Sequence, residues 1–102
     1  YYTFKPFHHV YDPSGKLLLT NGSAKAPGKG NDFLHHRGLF FAWNRIGYGE
    51  KKTADVWHGA NGAFAEHQKV LAAAAGEVLG RQRSAVTWNG PDGVAFAAEE
   101  RE

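Results

Sequence analysis

A five-residue turn near the end of the chain constrains the fold more than any other segment. Asn89-Gly90-Pro91-Asp92-Gly93 combines a proline that fixes φ, glycines that accept positive φ and polar residues that bond to the local backbone. Residues 79–88, just before it, alternate imperfectly between apolar and polar side chains, which is typical of a strand. We therefore predict a β-hairpin in which residues 94–102 pair back against residues 79–88.

Composition favours the same class of fold along the rest of the chain. The 102 residues include 13 glycines, and aromatic residues make up 14%, a combination that favours short strands joined by tight turns. Asp12-Pro13-Ser14-Gly15 is a second predicted turn, followed by a short buried strand over 16–20. The apolar run 39–43 predicts a central strand buried on both faces. Residues 21–31, rich in glycine, lysine and alanine, predict a loop or lid.

Residues 64–76 are the one segment with conflicting local signals. Alanine is the best helix former, and the run 72–75 closes at Gly76, which suits the residue after a helix. Local propensity alone therefore favours a helix here.

Charge and cysteine content exclude several classes of function. The net charge is +2 and the basic residues are scattered, so no nucleic-acid partner is expected. No apolar run approaches the length of a membrane span, so no membrane insertion is expected. The absence of cysteine excludes disulfides and thiolate chemistry.

The chain begins within a strand-like segment and contains no methionine, so we expect either a single all-β domain over 1–102 or the N-terminal-to-middle fragment of a longer β-sandwich protein.

The best candidate site lies at His35-His36-Arg37, between the predicted loop and the apolar run. Histidine can exchange protons near neutral pH, and the arginine fork suits carboxylates or vicinal hydroxyls. With Trp43 and Trp57 as planar apolar surfaces, this mixture is typical of a sugar site. Structural roles are the alternative for each residue. The gaps between the histidines do not match metal-ligand spacing, so no metal site is predicted and the cofactor stays open.

Several segments together resemble a known family. Pro13-Ser14-Gly15, the run from His35-His36-Arg37 to Trp43, Asp55-Val56-Trp57 and the final hairpin look like the uncharacterised bacterial family labelled "methane oxygenase PmoA-like". Where that family has Asp-His-Pro-His-His-Arg, this chain has Asp32-Phe33-Leu34 before His35. The resemblance implies an all-β sandwich, a carbohydrate context and, since many members are exported, a periplasmic or secreted location. It also implies that residues 64–76 form a strand pair rather than a helix.

The resemblance extends the set of candidate site residues. Carried over position by position, it adds His8, Asp55, His67 and Glu100 to the residues already chosen. The sequence prediction is therefore an antiparallel β-sandwich that binds or processes a sugar. The proposed catalytic residues are His35, His36, Arg37, His67 and Glu100. The proposed ligand-binding residues are His8, Trp43, Asp55 and Trp57. Two alternatives stay open: a non-catalytic sugar-recognition or structural module, and a histidine-ligated metalloenzyme.

Overall fold

The chain folds into antiparallel sheets. The computed structural model describes residues 3–20 and 35–102, and it contains only strands, bridges and turns within them. The strands are β1 (Phe7–His8), β2 (Leu39–Phe40), β3 (Ile46–Tyr48), β4 (Lys52–Ala54), β5 (Phe64–Ala75), β6 (Gly80–Asn89) and β7 (Ala95–Arg101). They form two two-stranded sheets, β1-β2 and β3-β4, and one three-stranded sheet in the order β5-β6-β7. The predicted all-β antiparallel fold is confirmed.

One face of the three-stranded sheet carries the core. Because alternate residues of a strand face opposite ways, Ser84, Val86 and Trp88 of β6 lie on one face, and all three are buried. Ala65 of β5 pairs with Trp88 on that face and is also buried. The core is completed by Phe96 of β7 and by buried or partly buried side chains from the smaller sheets and the segments beside them: Phe40, Ala42, Ile46, Tyr48, Ala54, Val56, Trp57 and Ala63.

The predicted turns have the expected geometry. The N–H of Gly93 donates to the carbonyl of Gly90 at 2.9 Å, which closes the final hairpin. In the earlier turn, the N–H of Gly15 donates to the carbonyl of Asp12 at 2.8 Å. Gly15 has φ of +70° and Gly93 has φ of +75°, values that favour glycine. The predicted return strand is β7, and its partner β6 extends over nearly the range predicted.

The predictions for segments 64–76 and 39–43 are wrong. Residues 64–76 form neither a helix nor a strand pair, because β5 is one twelve-residue strand that pairs along its length with β6. Pairing between strands here outweighs the small helix propensity of alanine. The run 39–43 is not a central strand either, since β2 has two residues and only β1 beside it. Leu39 and Trp43 are each 61% exposed, and only Ala42 is buried.

The predicted buried strand over 16–20 is also wrong. Leu17 and Leu19 are exposed, and Leu18 forms an isolated bridge to Tyr11. The turn before it is held instead by the Asp12 carboxylate, which accepts backbone hydrogen bonds from Lys16 and Leu17. The predicted loop over 21–31 lies outside the described residues.

Candidate functional site

Three histidine rings converge beside a tryptophan. The ring of His35 lies 4.4 Å from that of His36 and 4.9 Å from that of His58, measured between centroids. His36 also contacts Trp57 edge-on at 5.3 Å. We call His35, His36 and His58 the histidine cluster. It brings together segments more than 20 residues apart, and it includes two of the predicted catalytic residues.

A tight turn after β4 positions His58. The carboxylate of Asp55 accepts a hydrogen bond from the backbone N–H of His58 at 2.9 Å and contacts its Nδ1 at 2.8 Å. Gly59 follows with φ of +68°, and a side chain there would come within 2.6 Å of the Phe4 ring. Burial raises the pKa of Asp55, but the hydrogen bonds and charge of His58 outweigh it and hold that pKa below its usual value. The carboxylate is therefore ionised and fixes the orientation of the His58 ring.

The backbone on the other side of this turn is tied to residue 43. The N–H groups of Val56 and Trp57 both donate to the carbonyl of Trp43, at 3.1 and 3.0 Å. Val56 is completely buried in the core, while Trp57 packs edge-on against Phe40 at 5.1 Å. The wall of the site that carries Asp55 and Trp57 is therefore anchored to the core.

A lysine lies buried beneath the cluster. Lys5 is 2% exposed. Its ammonium donates to the carbonyl of Trp57 at 2.6 Å and lies 3.6 Å from the centre of the Phe40 ring. Burial lowers the pKa of Lys5 to about 8, although the carboxylate of Asp55 opposes this shift. A buried cation is costly unless its surroundings compensate it, and here a carbonyl dipole and aromatic faces do so.

The environment favours the neutral form of His35. Burial lowers the pKa of His35, and the nearby charges of His36, His58 and Lys5 lower it further, against the opposing effect of Asp55. A histidine with a lowered pKa is neutral at neutral pH and can accept a proton. The histidine cluster therefore combines a neutral ring with a second ring oriented by a carboxylate.

The remaining predicted residues lie in other places. His8 and His67 line a surface cavity of about 330 Å³ between the N-terminal segment and β6. His8 and Glu100 line a second, more open cavity of about 440 Å³. Glu100 is exposed and lies 3.8 Å from Arg83. Arg37 follows the histidine pair directly and is half-buried.

The predicted ligand-binding residue Trp43 is separated from the ring contacts of the cluster. Its indole contacts Phe41 at 5.7 Å between centroids, and Phe41 in turn contacts Trp88. The structure thus unites His35, His36, Asp55 and Trp57, and places His8, His67 and Glu100 around different cavities. The roles of all nine residues stay predictions.

Two features of the site were not predicted from the sequence. They are His58 and Lys5, neither of which is among the predicted site residues. The spacing Asp55-x-x-His58, directly before Gly59, is the local signal for the first, because a turn can bring residues three apart into contact. No local signal exists for Lys5, since its partners lie 35 and 52 residues further along the chain.

Neither a metal-ligand cluster nor a membrane-crossing helix is found among the described residues. Within residues 3–20 and 35–102, no three histidine, aspartate or glutamate side chains are placed so that they could hold a metal ion. In the same ranges, no helix has the length and apolar character needed to cross a membrane.

The fold and the site define an all-β protein with a cluster of histidines against an aromatic wall. Over residues 1–102, the chain matches a family described as "Family of unknown function (DUF6807)", and it belongs to that family. Neither the curated proteins nor the solved structures gave a match.

Proposed function

We propose that the histidine cluster carries out acid–base chemistry on a carbohydrate. The observation that carries the proposal is the convergence of three imidazole rings, one of them oriented by the Asp55 carboxylate through its Nδ1. Since Asp55 occupies that nitrogen, the Nε2 atom of His58 is the one that can exchange a proton with a ligand. Side chains that are held in place by a neighbour transfer protons more effectively than mobile ones.

The cluster supplies two groups with different surroundings. His35, with its lowered pKa, suits the acceptance of a proton from a sugar hydroxyl or from a carbon next to a carbonyl. His58, held by Asp55, suits the return of a proton to the same intermediate. Arg37, next to the histidine pair in sequence, suits contact with ligand oxygens.

The aromatic wall and the family resemblance support a carbohydrate as the ligand. Sugar rings present C–H groups on one face, which pack on aromatic rings, and hydroxyls at the edge, which bond to polar side chains. Trp57 lies directly against His36, so both kinds of surface meet at this point. The resemblance to the "PmoA-like" family points to the same ligand class and to an exported protein.

Substitution of the cluster tests the proposal. A calorimetric screen of neutral and oxidised sugars would identify a ligand, and turnover would be followed by NMR. We expect His58→Ala and His35→Ala to lower turnover by roughly 10²- to 10⁴-fold, the usual contribution of one acid–base group. His9→Ala is the matched control, because His9 contacts Thr20 and Phe7 instead of the cluster. Unchanged binding and turnover in both cluster variants would reject the proposal.

A second candidate function is non-catalytic sugar recognition by the Phe41–Trp43 pair. Phe41 is 46% exposed and Trp43 is 61% exposed, and their rings are tilted by 58°. Exposed aromatic pairs of this kind can support a sugar ring. In that case Trp43→Ala should weaken affinity about 2- to 10-fold. Combined alanine substitution of His35, His36 and Arg37 should change it by no more than about a few-fold.

A further inference from the structure

Lys5 has a charge that packing alone does not require. It is buried, its ammonium has one carbonyl acceptor, and among the described residues it has no ion-pair partner. The faces of Phe40, Trp57 and Phe4 lie 3.6, 5.4 and 5.0 Å from the ammonium. A methionine would fill a similar volume among these rings without the cost of burying a cation. A role for the charge itself is therefore the simplest physical explanation.

The groups that share electrostatic interactions with Lys5 belong to the candidate site. The charge of Lys5 lowers the pKa of His35, and the carboxylate of Asp55 raises the pKa of both residues. The charges of His36 and His58 also lower the pKa of His35. The carbonyl that accepts the hydrogen bond of Lys5 belongs to Trp57, between Asp55 and His58 in the chain. Lys5 thus contacts the turn that orients His58 and also influences the ring of His35.

We propose that Lys5 is a positioning residue of the histidine cluster: its ammonium anchors the Trp57 carbonyl and places a positive charge beside His35. The catalytic importance of Lys5 rests on the proposed function. Its contacts and its effect on the pKa of His35 can be tested in the free protein. The ammonium of Lys5 contacts the Trp57 carbonyl and the Phe40 ring, so we assign it an indirect action on the cluster. While Lys5 is charged, it favours the neutral form of His35, which can accept a proton.

The two titrations define a pH window. Lys5 is charged below its pKa of about 8. His35 is neutral above its own pKa, which lies below the ordinary value of 6.5. The combination of a charged lysine and a neutral His35 is therefore populated between these two pKa values and decreases on either side.

NMR titration of the free protein tests the inference without any sugar. The ¹³Cε signal of Lys5 should titrate near pH 8, and Lys5→Met should raise the pKa of His35, because it removes a nearby positive charge. Lys5→Arg keeps the charge and should leave the pKa of His35 low. A Lys5 midpoint near the ordinary 10.5 would overturn the inference. So would an unchanged His35 titration in a folded Lys5→Met variant.

The arginine variant keeps the test decisive if Lys5→Met does not fold. The indole N–H signal of Trp57 should shift with a midpoint near pH 8 in the natural chain, and this step should be absent in Lys5→Arg, because arginine stays protonated there. The same step in both proteins would overturn the inference. Since no ligand is present, failure here is separate from failure of the sugar experiments, which would reject the proposed function alone.

Discussion

The two halves of the three-stranded sheet share β5 and β6 but differ in their surroundings, since β7 pairs only with residues 84–89 of β6. In the half near the final hairpin turn, Ala65, Val86 and Trp88 are 4%, 2% and 6% exposed. In the other half, residues 72–75 of β5 and 80–83 of β6 are all exposed, although they pair in regular antiparallel register. We call these the packed half and the projecting half. The β5–β6 pairing runs through both halves, whereas burial and pairing with β7 distinguish them.

The packed half is held by contacts within its own sheet and by contacts from outside it. The N–H of Ala65 donates to the carbonyl of Phe4 at 2.8 Å. The indole of Trp88 donates to the Glu99 carboxylate at 2.8 Å and meets the edge of Phe41. The projecting half is separated from the packed half by two register shifts in β5, between His67 and Lys69 and between Val70 and Ala72. Apolar burial and pairing with β7 should therefore both make the packed half the more stable one.

Truncation of a large side chain in each half gives the largest expected difference. Trp88→Ala removes a buried indole and its hydrogen bond to Glu99, so we expect a loss of about 3 to 5 kcal/mol in the free energy of unfolding. Leu79→Ala, at a residue 64% exposed beside the projecting half, should cost less than about 0.5 kcal/mol. Urea unfolding monitored by circular dichroism measures both. Similar losses in the two variants would contradict the distinction.

Glycine-to-alanine substitutions in the two halves should give a difference in stability of intermediate size. Gly90 is buried, and an added Cβ would collide with the hydroxyl of Tyr48, whose ring stacks on Phe96 at 4.2 Å and has little room to move. We expect Gly90→Ala to destabilise by about 1 to 3 kcal/mol. Gly80, at the start of β6, has nothing within 4 Å of that position. Gly80→Ala should be neutral or stabilising by up to about 1 kcal/mol in the same urea experiment, and a large loss there would contradict our description of the projecting half.

Acid stability gives the smallest expected effect. Burial raises the pKa of Glu99, but hydrogen bonds from Arg101 and Trp88 and the charge of Arg101 hold it below the ordinary 4.5. A carboxyl whose pKa is depressed by folding contributes stability above its unfolded pKa and loses it as the pH falls through the folded value. The urea midpoint of the natural chain should therefore fall as the pH drops from the ordinary value of 4.5 through the lower pKa of Glu99, and less steeply in Glu99→Gln.

Glu100→Gln is the control for this measurement. Glu100 lies on the same strand, and its carboxylate makes none of the hydrogen bonds of Glu99. Equal flattening of the pH dependence in both variants would show that the effect comes from overall charge instead of the contacts of Glu99.

The candidate site shows the same division between local and long-range information. The pair His35-His36 and the segment Asp55-Val56-Trp57 could be chosen from residue types and from the family resemblance, and the fold brings them together. His8, His67 and Glu100 were chosen on the same grounds, but they line different cavities. Lys5 could not be found, because its significance depends on burial by residues far along the chain.

What the sequence by itself determined was the turns and the class of fold. The turns at 12–15 and 89–93 depend on φ preferences and hydrogen bonds within a few residues, so the residue types specify them directly. Tertiary structure alone decided that the alanines of 72–75 lie in a strand, that the run 39–43 is mostly exposed and that Lys5 lies beneath the histidine cluster. Each of these depends on which distant segment covers the residue, and neither propensity nor periodicity within a short window contains that information.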